Sequence, residues 1–206
     1  FSGWNLVGSF SDTMCKNGVN IVLNMFLGTV INAANGIVTQ VVANVSRFTS
    51  TMMIAVNPQI IKSYAANNLD DCKVLVRKAA LYGQYLFFFF AIPLAADLPF
   101  ILKAWLKQVP PYTVPLIYVA LVQASISLFS NSSVYFRQAT GKVKKPQILT
   151  ALSTLPIVVV TYILLYLHVD VVVTRAAALI FWVANTFMWQ WHMAKDLQIN
   201  IYQFIS

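Results

Sequence analysis

The sequence predicts an all-α, polytopic membrane protein with about six transmembrane helices. Of its 206 residues, 59% are hydrophobic and only 10% are charged, and the mean hydropathy is +0.69. Soluble domains contain about 25% charged residues, so this chain has too few charges to cover a soluble surface. Apolar stretches of about eighteen residues or more, long enough to cross a hydrocarbon core, recur along the chain.

The net charge of +8 does not indicate a nucleic-acid-binding protein. Lysines and arginines lie between the apolar stretches and form no continuous basic stripe, which is the pattern of loops that flank membrane helices. We therefore expect the lipid bilayer, and no nucleic acid, as the surroundings of the chain.

Four of the predicted spans lie in the later part of the chain. Residues 79–96 form an apolar block that 74–78 extend, and residues 114–136 and 146–169 contain no Asp, Glu, Lys or Arg. The last span is predicted over 174–194. Each segment can cross the bilayer at a rise of about 1.5 Å per residue.

The first sixty residues are predicted to form two further helices. Thirty uncharged residues separate Lys16 from Arg47, which one strongly tilted helix could also accommodate. The segment 32–36 (Asn-Ala-Ala-Asn-Gly) is rich in turn-forming residues and favours a break there. The resulting spans are about 4–30 and 34–62.

The distribution of basic residues predicts the topology. Nine lysines and arginines flank the spans on one side, mainly in segments 62–78 and 137–145, against three on the other. The positive-inside rule places the 62–78 and 137–145 loops in the cytoplasm. Segment 97–113 then faces outward.

Polar side chains form stripes on the first two predicted helices. At about 100° per residue, each of two sets falls on one helix face. The candidate cavity residues are Asp12, Lys16 and Asn20 on the first helix and Gln40, Asn44, Arg47 and Thr51 on the second. Ionisable residues at membrane depth cost at least about 2.5–3.5 kcal/mol each, so two such stripes favour a hydrated cavity. Alternatively, Asp12 and Lys16 neutralise each other as an i,i+4 pair, and the amides hold helices together.

No enzyme chemistry is predicted. The chain has two cysteines, Cys15 and Cys72, far apart, and two histidines, with no metal-ligand spacing and no catalytic Ser/His/Asp or Cys/His set. We expect no cofactor and no metal site.

Several segments in order resemble bacterial polysaccharide flippases of the multidrug/oligosaccharidyl-lipid/polysaccharide exporter superfamily, relatives of the MATE transporters and lipid II flippases. The resemblance covers almost the whole chain. The segments are Gly3-Trp4-Asn5-Leu6, Leu27-Gly28, Asn32-Ala33-Ala34-Asn35-Gly36-Ile37, Asn57-Pro58-Gln59-Ile60, Lys62-Ser63-Tyr64-Ala65, Trp105-Leu106, Val109-Pro110, Tyr112-Thr113 and Ala139-Thr140-Gly141-Lys142.

This resemblance implies that residues 1–206 form the C-terminal six-helix lobe of a MATE-like transporter, without its N-terminal lobe. Such proteins lie in the bacterial inner membrane and flip undecaprenyl-pyrophosphate-linked oligosaccharides by alternating access. Lys16 and Arg47 would then face the pyrophosphate. Asn20, Gln40 and Asn44 would hydrogen-bond sugar hydroxyls.

Two alternatives stay open. One is a MATE-type drug or metabolite antiporter driven by protons or sodium, although Asp12 is the only acid placed early in a span and Lys16 can neutralise it. The other is a membrane scaffold without transport, against which the continuous polar stripes count.

Overall fold

The computed structural model describes residues 2–141 and 144–197, and these residues form helices and no strand. Lys142, assigned above to a cytoplasmic loop, lies outside them. The helices are α1 (Ser2–Leu27), α2 (Thr29–Ala65), α3 (Leu69–Ala96), α4 (Leu98–Trp105), α5 (Thr113–Thr140), α6 (Lys144–Thr154), α7 (Pro156–Tyr166), α8 (Val171–Ala177) and α9 (Leu179–Leu197). The prediction of an all-α chain is confirmed for this part of the protein.

Within residues 2–141 and 144–197, four helical segments are long and apolar enough to cross a membrane. They are Leu69–Ala96, Thr113–Gln138, Lys144–Tyr166 and Val171–Leu197, with mean hydropathies of 1.6 to 2.3. They coincide with the four later spans that the sequence predicts. α1 and α2 have 26 and 37 residues but carry more polar side chains, so the total of about six spans stays a prediction.

The break between α1 and α2 lies at Gly28, which corrects the expected turn at 32–36. Gly28 has φ 72° and ψ −166°, a backbone conformation that other residues rarely adopt. Residues 32–36 continue α2. The turn propensity of Asn and Gly is a weak preference, and packing of the buried Ile31, Ala34 and Val38 outweighs it.

Two of the membrane-long segments consist of two helices each. α6 ends at Thr154 and α7 starts at Pro156, because proline lacks the amide hydrogen needed within a helix but fits its first turn. α8 and α9 meet at Ala178. The side chain of Asp170 caps the start of α8 by accepting a 2.7 Å hydrogen bond from the amide of Val172.

The helices pack in two sets that meet along α5 and α9. α2 packs against α3 and α5, whereas α1 packs against α6 and α7, and α6 also contacts α9. Thr186 and Gln190 of α9 donate hydrogen bonds to the carbonyl oxygens of Ile126 (3.2 Å) and Phe129 (2.6 Å) in α5. These bonds form the α5–α9 seam that joins the two sets.

Large apolar side chains cover much of the outside of the molecule. Phe89, Phe100 and Ile180 are each more than 70% exposed, and many other Phe, Ile, Leu and Val side chains are exposed as well. Large exposed apolar surfaces on a protein mark contacts with membranes or with other proteins. The outer surface is therefore suited to contact with lipid.

Two predicted loops are largely helical. Segment 62–78 reduces to residues 66–68, since α2 continues to Ala65 and α3 begins at Leu69. Segment 97–113 contains α4, whose Leu98 and Leu102 are buried and whose Trp105 is exposed. Arg137, assigned to a loop above, belongs to the last turn of α5.

Candidate functional site

A cavity of about 970 Å³ lies between the two helix sets. Side chains from α1, α2, α5, α6, α8 and α9 line it. Pockets for drug-sized ligands measure about 300–1,000 Å³, so this one is at the upper end of that range. Its volume is sufficient for a bulky polar solute.

The charged part of the cavity is formed by α1 and α8. Asp12 and Lys16 line it and form an ion pair at 2.7 Å, as their i,i+4 spacing predicts. Arg175 of α8 lines the same cavity, and the buried Cys15 lies within electrostatic reach of all three charges. Two cations against one acid leave this part of the wall positive.

Arg175 makes no hydrogen bond or ion pair with any residue in the described ranges 2–141 and 144–197, yet it is partly buried. An enclosed guanidinium without a carboxylate partner is unfavourable unless water or an anion contacts it. In the sequence, Arg175 is one of the three basic residues on the predicted outer side, at the start of the last span. The short α8 brings it to the cavity.

The seven residues predicted to line a cavity divide into two groups. Asp12, Lys16 and Asn20 line the cavity, and the amide of Asn35 in α2 donates a hydrogen bond to the Asn20 side-chain oxygen. The remaining four are exposed on α2 and are not among the cavity-lining residues: Gln40, Asn44, Arg47 and Thr51.

α2 contributes a different face to the cavity from the one predicted. The residues of α2 that line it are Asn35, Val38, Thr39, Val42 and Ala43. On a helical wheel their centre lies about 140° from the centre of the exposed polar stripe. The hydroxyl of Thr51 in this stripe donates a 3.0 Å hydrogen bond to the backbone oxygen of Arg47 in the same helix.

α5 contributes polar residues that were not among the predicted cavity residues, because the span 114–136 was recognised by its lack of charged side chains. Its cavity-lining positions recur at helical spacing: Ala120, Gln123, Ala124, Ser127, Ser130, Asn131, Val134 and Gln138. The spacing of the polar residues among them could have revealed this face, since intervals of three, four and seven residues mark one side of a helix.

The opposite wall is formed by α6 and α9. Gln147 and Thr150 line the cavity from α6, and Trp182 and Trp189 from α9. The indole nitrogen of Trp189 donates a 3.0 Å hydrogen bond to the Thr150 hydroxyl, which fixes the buried ring. The two tryptophans add aromatic ring surface to a cavity wall that also carries polar side chains.

Comparison of the chain with protein-family models, with curated proteins and with solved structures found no match.

Proposed function

We propose that this protein moves lipid-linked oligosaccharides across the bacterial inner membrane, as the lobe of a MATE-like flippase that works by alternating access. The observation that carries the proposal is a cavity lined by both Lys16 and Arg175, of which Arg175 makes no hydrogen bond or ion pair within the described ranges 2–141 and 144–197. A guanidinium and an ammonium group suit a pyrophosphate, because both donate charge-assisted hydrogen bonds to phosphate oxygens.

The cavity chemistry supports a substrate with an anionic part and a hydroxyl-rich part. Its charged residues lie on α1 and α8, whereas α5 and α6 supply amides and hydroxyls. A pyrophosphate joined to sugars has both parts, and its lipid tail can stay in the bilayer. The exposed apolar side chains of the helices provide surface for such a tail.

The first experiment is complementation. The complete protein that carries this chain is expressed in a bacterium without its own O-unit flippase, and surface glycan is scored for wild type and for Arg175→Gln. Lys103→Gln is the matched control, because Lys103 is an exposed cation of α4 outside the cavity lining. We expect wild type and Lys103→Gln to restore glycan and Arg175→Gln to fail while still inserting into the membrane.

Normal glycan in both Arg175→Gln and Lys16→Ala cells would contradict the anion site. If Lys16 serves only to pair with Asp12, Asp12→Asn should rescue Lys16→Ala. Without rescue, Lys16 acts on the substrate itself.

Asp12 in the cavity wall favours a second candidate, a MATE-type drug or metabolite antiporter, since such a transporter needs an acid that binds a cation. The 2.7 Å contact with Lys16 occupies that acid and weighs against it. Two results together would establish the antiporter. A well-inserted protein would fail to restore glycan, and the drug resistance that it confers would be lost in Asp12→Asn.

A further inference from the structure

Two buried amide side chains of the described helices connect one helix to another. Gln84 of α3 exchanges hydrogen bonds with Ser125 of α5, donating to its carbonyl at 2.7 Å and accepting from its hydroxyl at 3.2 Å. Gln190 donates to Phe129, as described for the α5–α9 seam. Both amides are buried and lie outside the cavity lining, so they hold helices together.

Three amides on α5 behave differently. The side chains of Gln123, Asn131 and Gln138 line the cavity and bond to no residue within 2–141 and 144–197. An amide offers two donors and two acceptor sites, and at membrane depth it is stable only if something satisfies them. For these residues, which we call the α5 amide face, that partner is water or a solute in the cavity.

The geometry of the α5 amide face suits an extended ligand. The three residues fall within an arc of about 80° on the helical wheel. They cover about 22 Å along the helix at 1.5 Å per residue, most of the thickness of a hydrocarbon core of about 30 Å. A polar chain crossing the membrane can therefore meet one amide after another.

The chemistry of the surrounding wall indicates what the ligand is. The α5 amide face carries no charge, so it is suited to hydroxyl and acetamido groups and not to phosphate. Trp182 and Trp189 line the same cavity from α9. Trp182 is half-buried and offers apolar ring surface, whereas the Trp189 ring is buried and its indole nitrogen is bonded to Thr150. Sugar rings combine polar edges with apolar C–H faces and match both walls.

We infer that the α5 amide face is the sugar-recognition surface of the cavity and determines which glycan is accepted, separately from the cationic residues Lys16 and Arg175. This inference rests on the proposed function. A site that hydrogen-bonds hydroxyl groups discriminates strongly against ligands that lack them, since its polar groups are then left unpaired.

Native mass spectrometry of the complete, detergent-solubilised protein tests the inference with two probes. One is undecaprenyl pyrophosphate, and the other is the same lipid carrying N-acetylglucosamine. We expect wild type to bind the sugar-bearing lipid more tightly. In the double variant Gln123→Leu/Asn131→Leu, its Kd should rise about tenfold or more, the effect of losing two hydrogen bonds, and approach that of the bare lipid. Binding of the bare lipid should not change.

Gln84→Leu is the matched control, because it removes an amide of the same kind from the α3–α5 contact and should leave the preference for the sugar intact. If the double variant keeps the wild-type preference for the sugar-bearing lipid, the inference is overturned and the proposed function still stands. The same holds if wild type binds both lipids equally. If wild type binds neither lipid, the proposed function fails and the inference with it. Arg175→Gln should weaken both probes alike.

Discussion

The guanidinium of Arg137 in the last turn of α5 bonds to the carboxylate of Asp196 and to the backbone oxygen of His192 (3.2 Å), both near the end of α9. The Arg137 side chain is almost fully buried. This contact closes the end of the α5–α9 seam and makes Arg137 a structural residue, although the sequence presents it as one of several loop cations.

We predict that Asp196→Leu lowers stability by about 3–5 kcal/mol, because it leaves a buried guanidinium without its counter-ion. The measurement is thermal unfolding of the detergent-solubilised protein. The double variant Arg137→Met/Asp196→Leu should recover much of the loss, since it removes both charges together. Equal unfolding temperatures for wild type and Asp196→Leu would show that the ion pair contributes little.

Gln84→Leu should destabilise the protein by about 1–3 kcal/mol, because the buried Gln84 amide loses both of its hydrogen bonds to Ser125 and the half-buried Ser125 hydroxyl loses its acceptor. Gln123→Leu is the comparison, because the Gln123 side chain has no hydrogen-bond partner within the described residues. This variant should unfold at the same temperature as wild type. Thermal unfolding of the two variants side by side tests the division between structural and cavity amides. A larger loss of stability in Gln123→Leu than in Gln84→Leu would contradict the division between structural and cavity amides.

Thr49→Val should leave stability unchanged or raise it by about 1 kcal/mol. Thr49 is fully buried, and its hydroxyl oxygen has no hydrogen-bond partner in the part of the chain that the structure describes, so valine removes an unsatisfied polar group at almost constant shape. Thr161→Val is the control. Thr161 is only 2% exposed, and its hydroxyl donates a 2.7 Å hydrogen bond to the backbone oxygen of Ile157. Chemical denaturation should show the control to be the less stable of the two variants.

Gly28→Ala should destabilise the protein by about 1 kcal/mol or more, because alanine is strained at φ 72°. Gly36→Ala should instead stabilise it by about 0.5–1 kcal/mol, since Gly36 is helical and a Cβ there meets nothing within 4 Å. Opposite shifts in unfolding temperature would support the position of the break. A stabilised Gly28→Ala variant would speak against it.

Arg47→Ala in the complete protein should impair glycan export while leaving membrane insertion intact. An arginine on an exposed helix face at membrane depth needs a polar partner or water, and the proposed opposite lobe would enclose such a space. Surface glycan is scored in the complementation strain, with membrane fractionation as the check on insertion. Export at the wild-type level would remove Arg47 from the substrate path.

The sequence is informative where one physical effect dominates. Residues 146–169 lack charge over a length that fits the bilayer, and the helix pair α6–α7 is there. The break after α1 was misplaced because turn propensity at Asn32 and Asn35 was weighed without the packing of Ile31 and Ala34, which depends on distant helices.

The candidate site was predictable only in part. The charged Asp12 and Lys16 stand out against an apolar background, and they do line the cavity. Gln123 and Asn131 are neutral and lie in a span defined by its lack of charge, so hydropathy conceals them. Arg175 gains its position from the packing of α8, which no local pattern specifies.

The hydrogen bonds of the α5–α9 seam end on carbonyl oxygens of Ile126 and Phe129, not on their side chains. Every amino acid supplies a carbonyl oxygen, so these two bonds, unlike the Arg137 contact at the end of the seam, do not depend on which side chains α5 carries. Substitutions on its cavity face can therefore accumulate during evolution without separating the two helices. A lineage of such proteins could change its cargo by exchanging a few residues of one helix while the scaffold stays the same.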